Sequence, residues 1–158
     1  MAVEIERRFL VKSDAWRAGS EVADIRQGYI FASAEKSVRV RTFGDTGFLT
    51  VKGRHSRSGT SEFEYEIPLQ DALELLELVC EQPIIQKRRH TRTEHGRVWE
   101  IDVYSGANSG LITAEVELEH ADQRITLPDW VGEEVTDDPK YLNTNLYKHP
   151  YHSWQPGS

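Results

Sequence analysis

Carboxylates and cations recur at every second position in several stretches of this chain, and the sign of the charge is nearly constant within each stretch. Glu4, Glu6 and Arg8 open the sequence; Arg39 and Arg41, then Lys52, then Glu62, Glu64 and Glu66, Lys87 and Arg89, Glu100 and Asp102, and Glu115, Glu117 and Glu119 follow. Two arginines held ~7 Å apart along a strand repel by up to roughly 3 kcal/mol at an effective dielectric of ~20, so such a pair calls for an anion. Guanidinium forks match phosphate oxygens two at a time, and Lys52 and Lys87 add compact point charges. The carboxylate rows call for cations in turn, and hard oxygen ligands suit Mg²⁺ or Mn²⁺, which share phosphate oxygens readily. Neighbouring strands of opposite sign could answer each other, and a divalent ion with a polyphosphate could answer both.

A period of two places i and i+2 on one face of a β-strand. The expected strands lie near 2–11, 22–33, 37–43, 47–54, 60–68, 84–94, 97–105 and 111–120, with turn signals at Gly44–Gly47, Arg57–Gly59 and Glu94–Gly96 short enough for hairpins. Taken singly, each such strand reads as an ordinary half-wet sheet strand. Carboxylates at i and i+2 can converge on one ion only where the sheet curves, and a closed barrel with its charged face inward supplies that curvature. The reading is therefore mainly β with a few helices. Ser13–Ala18 should form a short turn ended by Gly19; Leu69, Ala72, Leu73, Leu76, Val79 and Cys80 recur at helical spacing and predict a helix over 69–81 stopped by Pro83. Asp137-Asp138-Pro139 is a helix start, and the helix can run to about Lys148.

The chain has 158 residues, enough for one domain with a real core. Residues 1–150 are read as that domain and 151–158 as a loose tail. A formal net charge of −7 argues against nucleic-acid partners. No apolar run approaches the ~20 residues of a membrane helix and no signal peptide is visible, so cytoplasmic residence is the default expectation. The single Cys80 excludes an internal disulfide. The six histidines lack a strong metal-ligand spacing, and there is no nucleophile elbow, Walker loop or dinucleotide glycine fingerprint.

The ordered set of these strands resembles the CYTH domain, the triphosphate tunnel metalloenzymes, over nearly the whole chain. Glu4, Glu6 and position 8 match an E-x-E-x-K opening, Val38-Arg39-Val40-Arg41 an R-x-R strand and Leu49-Thr50-Val51-Lys52 a lysine strand; Glu64-Tyr65-Glu66, Lys87-Arg88-Arg89, Glu100-Ile101-Asp102 and Glu115-Val116-Glu117 follow in order. Residues 135–146 resemble the C-terminal helix that plugs one tunnel end in short bacterial members. The resemblance implies a closed eight-stranded antiparallel β-barrel around a charged tunnel. It implies a phosphate-binding set of Arg8, Arg39, Arg41, Lys52, Lys87 and Arg89, and a metal-binding set of Glu4, Glu6, Glu115 and Glu117 for one or two Mg²⁺ or Mn²⁺ ions. Glu64, Glu66, Glu100 and Asp102 are expected to line the tunnel, Tyr29 to reach the substrate or pack in the core, and Glu4, Glu6, Arg8 and Lys87 to take part in the reaction.

The implied activity is hydrolysis of inorganic tripolyphosphate to pyrophosphate and phosphate. Adenylyl cyclase or thiamine- or nucleoside-triphosphatase activity are the enzymatic alternatives, and a polyphosphate-binding sensor the non-enzymatic one. A homodimer is compatible with the reading. The chain departs from the family pattern at Arg8, where the signature has lysine and a fork replaces a compact ammonium.

Overall fold

The computed structural model describes residues 5–55, 59–120 and 122–154. Nine strands alternate along the chain in antiparallel pairs: β1 (Ile5–Val11), β2 (Glu21–Ala32), β3 (Lys36–Phe43), β4 (Thr46–His55), β5 (Gly59–Ile67), β6 (Ile85–Glu94), β7 (Arg97–Ser105), β8 (Ile112–Leu118) and β9 (Val131–Glu134). Their order in the single sheet is β5-β4-β3-β2-β6-β7-β8-β1-β9. Eight of the strands fall within a few residues of the sequence expectation, because the alternation that marks them is the alternation a pleated sheet needs.

The expected closure differs. Among the described residues the sheet ends on β5 and β9 and does not close on itself, so the molecule is a nine-stranded antiparallel wrap rather than an eight-stranded closed barrel. The reason is visible at β1, whose second edge is taken by β9 through the pairs Phe9 with Glu134 and Val11 with Val131. Arg7 clamps this junction with two bonds to Glu134, at 3.0 and 2.8 Å. Val131-Gly132-Glu133-Glu134 is too short to show an alternating pattern, and so β9 is absent from the sequence reading.

Strand alternation divides the side chains into two populations. Those on the inner face are mostly polar and charged. The outer face carries two apolar clusters, one of Phe9, Trp16, Trp99, Ile101, Ala114, Val116, Trp130 and Val131 behind β1, β7 and β8, and one of Val40, Ala72, Leu76 and Cys80 where helix α1 (Leu69–Leu78) lies against β3 and β4. Helix α1 comes close because Gly47 faces it without a side chain, where an added Cβ would stand 2.8 Å from Ala72 Cβ; the segment that follows the helix comes equally close over Gly28, where an added Cβ would stand 2.9 Å from Cys80 Cβ. The expected turn near Ser13–Ala18 is a 3-10 turn at Ala15–Arg17, and Gly19 leaves it at φ +75°.

A third cluster, formed by Tyr29, Ile85, Tyr104, Leu111, Val135, Tyr141, Leu146 and Tyr147, seats the C-terminal segment on the sheet. The continuous helix expected from Pro139 to Lys148 is instead a 3-10 turn at Pro139–Tyr141 and a short helix α2 (Asn143–Leu146), separated by Leu142 in extended backbone (φ −71°, ψ 138°). Asp138 does cap the first turn, its carboxylate accepting from Lys140 N at 3.2 Å. The break turns Leu142, Asn143 and Thr144 toward the inner face. Beyond α2, Tyr151 N donates to Asn108 Oδ1 at 2.8 Å, and Trp154 packs edge-on to Tyr141. No helix among the described residues is long and apolar enough to cross a membrane.

Candidate functional site

The inner face encloses a cavity of about 420 Å³ lined by side chains from every long strand and by Leu142, Asn143 and Thr144 at one end. Of the expected phosphate-binding residues, Arg8, Arg39, Arg41, Lys52, Lys87 and Arg89 all reach it. So do Glu6, Glu115, Glu117, Glu64, Glu100 and Tyr29. Glu4 lies outside the described residues. Two of the expected lining acids are elsewhere. Glu66 is exposed opposite Phe48, at the end of β5 beyond the cavity, and Asp102 is 2% exposed beneath the lining. Glu62, opposite Lys52, takes the lining position that Glu66 was expected to hold.

Asp102 organises the basic wall. Its Oδ2 accepts from Lys87 Nζ at 2.8 Å and from Arg89 Nη2 at 3.0 Å, and its Oδ1 from Arg89 Nε at 2.8 Å; Arg89 Nη1 reaches Glu100 Oε2 at 2.9 Å. Burial opposes ionisation of Asp102, but Lys87 and Arg89 outweigh it and hold the carboxyl at about 2. Lys87 is fully buried, and burial draws its ammonium below the ordinary lysine value although Asp102 pulls the other way. A lysine in that position is a fixed donor beside the cavity, with its ammonium 5.4 Å from the Tyr104 ring centroid.

Arg39 and Arg41, two apart on β3, are less satisfied. Arg39 Nη2 meets Thr50 Oγ1 at 3.3 Å, Arg41 Nη2 stands 3.8 Å from Glu64 Oε1, and the Nε atoms of both are buried without a partner. Burial, and then the neighbouring Arg39, lower the pKa of Arg41, and the carboxylates of Glu64 and Glu100 only partly oppose them.

The acidic wall lies across from this on β1 and β8. Strand register sets Glu6 directly opposite Glu117 and Arg8 opposite Glu115. Like charges directly opposed across a ladder are unfavourable to it, and Glu6 and Glu117 are such a pair. Arg8 Nε donates to Glu115 Oε1 at 3.0 Å. Burial would raise the Glu115 carboxyl, but a hydrogen bond with Glu6 and the charge of Arg8 bring it below its ordinary value. The backbone of Arg8 is fixed by the C-terminal segment: its N–H donates to Thr136 Oγ1 at 3.0 Å and its carbonyl accepts from Val135 N at 2.8 Å.

Gln27, Asn143 and Thr144 line the site without having been among the expected site residues, whereas Tyr29 was one of them. Gln27 lines the cavity on β2 at 1% exposure; it is neutral and so falls outside any pattern of sign, although it shares the period-two face of Tyr29. The Tyr29 hydroxyl is raised by burial, with Arg39 and Gln27 opposing, and its ring stacks on Tyr147 at 5.1 Å. Asn143 and Thr144 enter from the C-terminal segment, and Tyr104 OH donates to Asn143 Oδ1 at 3.0 Å. Only the break at Leu142 makes them visible, and no local signal in the sequence announces it.

Comparison with known proteins agrees with this arrangement. The profile of the CYTH domain matches residues 2–146. An inorganic triphosphatase of Acetivibrio thermocellus is 47% identical over 155 residues, covering 98% of this chain and 99% of that protein. An inorganic triphosphatase of Nitrosomonas europaea is 36% identical over 149 residues, covering 90% and 95%. A crystal structure of an inorganic triphosphatase superposes with a TM-score of 0.74 at 32% identity, covering 99% of each chain. With a basic and an acidic wall facing one cavity, and with these matches along nearly its full length, the chain belongs to the CYTH domain family.

Proposed function

We propose that this protein hydrolyses inorganic tripolyphosphate to pyrophosphate and phosphate with a divalent metal ion. The observation that carries the reading is the facing of two walls of opposite charge across one cavity: Arg39 and Arg41, whose Nε atoms are buried without a hydrogen-bond partner, on one side, and the carboxylates of Glu6 and Glu117, opposed in register, on the other. The naming of two relatives and one structural neighbour as inorganic triphosphatases supports it.

The residues present fit Mg²⁺ or Mn²⁺. Glu6 and Glu117 are opposed in register and Glu115 bonds to Glu6, so carboxylate oxygens crowd one end of the cavity. Among the described residues no three acids, histidines or cysteines stand ready-made as a coordination set, and Glu115 is engaged by Arg8. Glu6 and Glu117 are accordingly the residues that would hold a metal, with Glu115 and Glu4 completing the set. A bound metal would polarise phosphoryl oxygens and lower the pKa of a water.

The protein's own groups do the rest. Arg39, Arg41 and Lys52 bind the non-reacting phosphates, bidentate where a fork meets two oxygens. Lys87 and Arg89, locked by Asp102, are preorganised donors for charge on the transferring phosphoryl group. Glu6 or Glu4 accepts the proton of the attacking water, and Arg8 holds Glu115 in place. The lining offers one aliphatic side chain, Leu142, and one aromatic, Tyr29, with the segment Leu142–Thr144 across one end. That is poor provision for an adenine or thiamine ring and favours the small inorganic substrate. Buried Cys80, its thiol pushed up to about 11 by burial, fits a reducing cytoplasm.

Phosphate release from tripolyphosphate, ATP and thiamine triphosphate, with Mg²⁺, with Mn²⁺ and without metal, tests the proposal. Metal-dependent release from tripolyphosphate well above the other two is expected. Glu6→Gln should remove at least about 100-fold of that turnover, and Arg41→Ala should act mainly by raising KM. Cyclic AMP from ATP would favour a cyclase, and tight tripolyphosphate binding without turnover a sensor.

A further inference from the structure

Gln27 is buried to 1% exposure in the middle of β2, yet its side chain faces the cavity and its Nε2 makes no hydrogen bond of good geometry, although it lies close enough to the Tyr29 hydroxyl to oppose the rise of that group's pKa. Leaving a buried donor unpaired is destabilising, a penalty that methionine or leucine at the same place would not carry. Other buried polar atoms without a partner, such as Nε1 of Trp16, Trp99 and Trp130, belong to residues away from the cavity, whereas Gln27 Nε2 and the Nε atoms of Arg39 and Arg41 belong to residues that line it. A donor kept unpaired on the wall of a charged cavity is a donor waiting for a ligand.

Its surroundings say which ligand. In the ladder Gln27 pairs with Arg41 on β3 and with Ile85 on β6. Directly paired residues place their Cβ atoms about 5 Å apart, so the carboxamide stands beside a guanidinium whose own Nε is also buried and unpaired. Two neighbouring unmet N–H groups match two oxygens of one phosphoryl group. The neutrality of the residue is also informative. Arg39, Arg41, Lys52, Lys87 and Arg89 already converge on the cavity; a further cation would add repulsion in the empty site, and a carboxylate would repel the substrate. An amide adds a contact at no cost in charge.

We propose that Gln27 contacts the substrate: its Nε2–H donates to a non-bridging oxygen of the phosphoryl group bound by Arg41, and this contact fixes the register of the phosphate chain along the cavity. The inference deepens the triphosphatase reading and rests on it. It assigns a specificity role to the neutral member of an otherwise ionic wall, because a wrongly registered chain presents the wrong anhydride bond to the reacting groups.

Gln27→Met keeps length and volume and deletes the donor. Two measurements are made on the full chain: thermal unfolding of the ligand-free protein, and calorimetric titration with sodium tripolyphosphate in metal-free buffer, where turnover does not intervene. The ligand-free variant should unfold at the wild-type temperature or above it, since an unsatisfied buried group has been removed, while its Kd for tripolyphosphate should rise about 10- to 100-fold, the worth of a hydrogen bond to a charged group. With Mg²⁺ added, kcat should fall along with kcat/KM, as expected for lost register rather than lost affinity alone. Gln27→Glu, which retains shape but replaces the donor by a like charge, should bind more weakly still and serves if the methionine variant folds poorly. Binding by either folded variant within twofold of wild type would overturn the inference, as would a ligand-free Gln27→Met that is destabilised while its affinity is unchanged, for then the amide is structural. A wild-type protein that does not bind tripolyphosphate at all overturns the triphosphatase reading itself, and that outcome is read before any variant is made.

Discussion

Asp102 shows how much a single side chain can decide. It is almost completely buried and holds two cations that it does not let drift: Lys87 at 2.8 Å and Arg89 at 2.8 Å. Its carboxyl sits at about 2 against an ordinary 3.8. Because the folded value is depressed, the stabilisation is complete above the ordinary value and disappears as the pH falls from about 4 toward 2; the difference corresponds to about 2 kcal/mol. Asp102→Asn should abolish that part of the acid sensitivity and, at neutral pH, lower stability by about 3–5 kcal/mol through the uncompensated buried lysine. Denaturant midpoints at pH 7, 4 and 2.5 for both proteins check this, and equal midpoints at pH 7 would remove Asp102 from its structural role. At this scale the charged residues were legible in the sequence as a pattern of sign, and their partners were not. Alternation puts Asp102 and Glu100 on the same face, but it does not say that one lines the cavity and the other lies under it.

Among the elements, strands were the most legible, since a charged alternation admits few other interpretations. The departures come where packing overrules local pattern: β9, recruited by Arg7 and the edge of β1, and the C-terminal helix, broken at Leu142 so that Tyr104 can bond Asn143. Helix α1 was legible in position but not in consequence, for its close approach, and that of the segment after it, depends on Gly47 and Gly28 in strands distant in sequence. Gly28 lies between the cavity-lining Gln27 and Tyr29 and packs against Cys80 and Ile84. Gly28→Ala would drive its Cβ to 2.9 Å from Cys80 Cβ and 3.0 Å from Ile84 Cγ2. A stability loss of about 1–3 kcal/mol is expected, read by chemical denaturation; a gain of the kind that Gly→Ala brings where space exists would show that the segment after α1 yields without cost.

At the scale of the whole molecule, the sheet of the described residues wraps a cavity without closing around it, with a basic and an acidic wall facing the same space. A phosphate chain with a metal ion would join them. Saturation at 100 times Kd adds about 2.7 kcal/mol to the folded state, which for a chain of this length raises the unfolding temperature by about 5–11 °C. Tripolyphosphate with Ca²⁺ or Mg²⁺ should therefore raise it more than either component alone in a thermal scan, and additive shifts would argue against a shared site. The outer apolar cluster has a use in following that event. Trp16, Trp99 and Trp130 are all buried there, with Trp99 5.3 Å from Trp130, and Trp99 precedes Glu100 in the chain on the opposite side of the same strand. Trp99 thus stands one backbone thickness behind the cavity wall, with Trp130 packed on it, and both are shielded from water. The protein carries its own optical probe, positioned so that its emission senses the strain of the wall rather than the ligand itself.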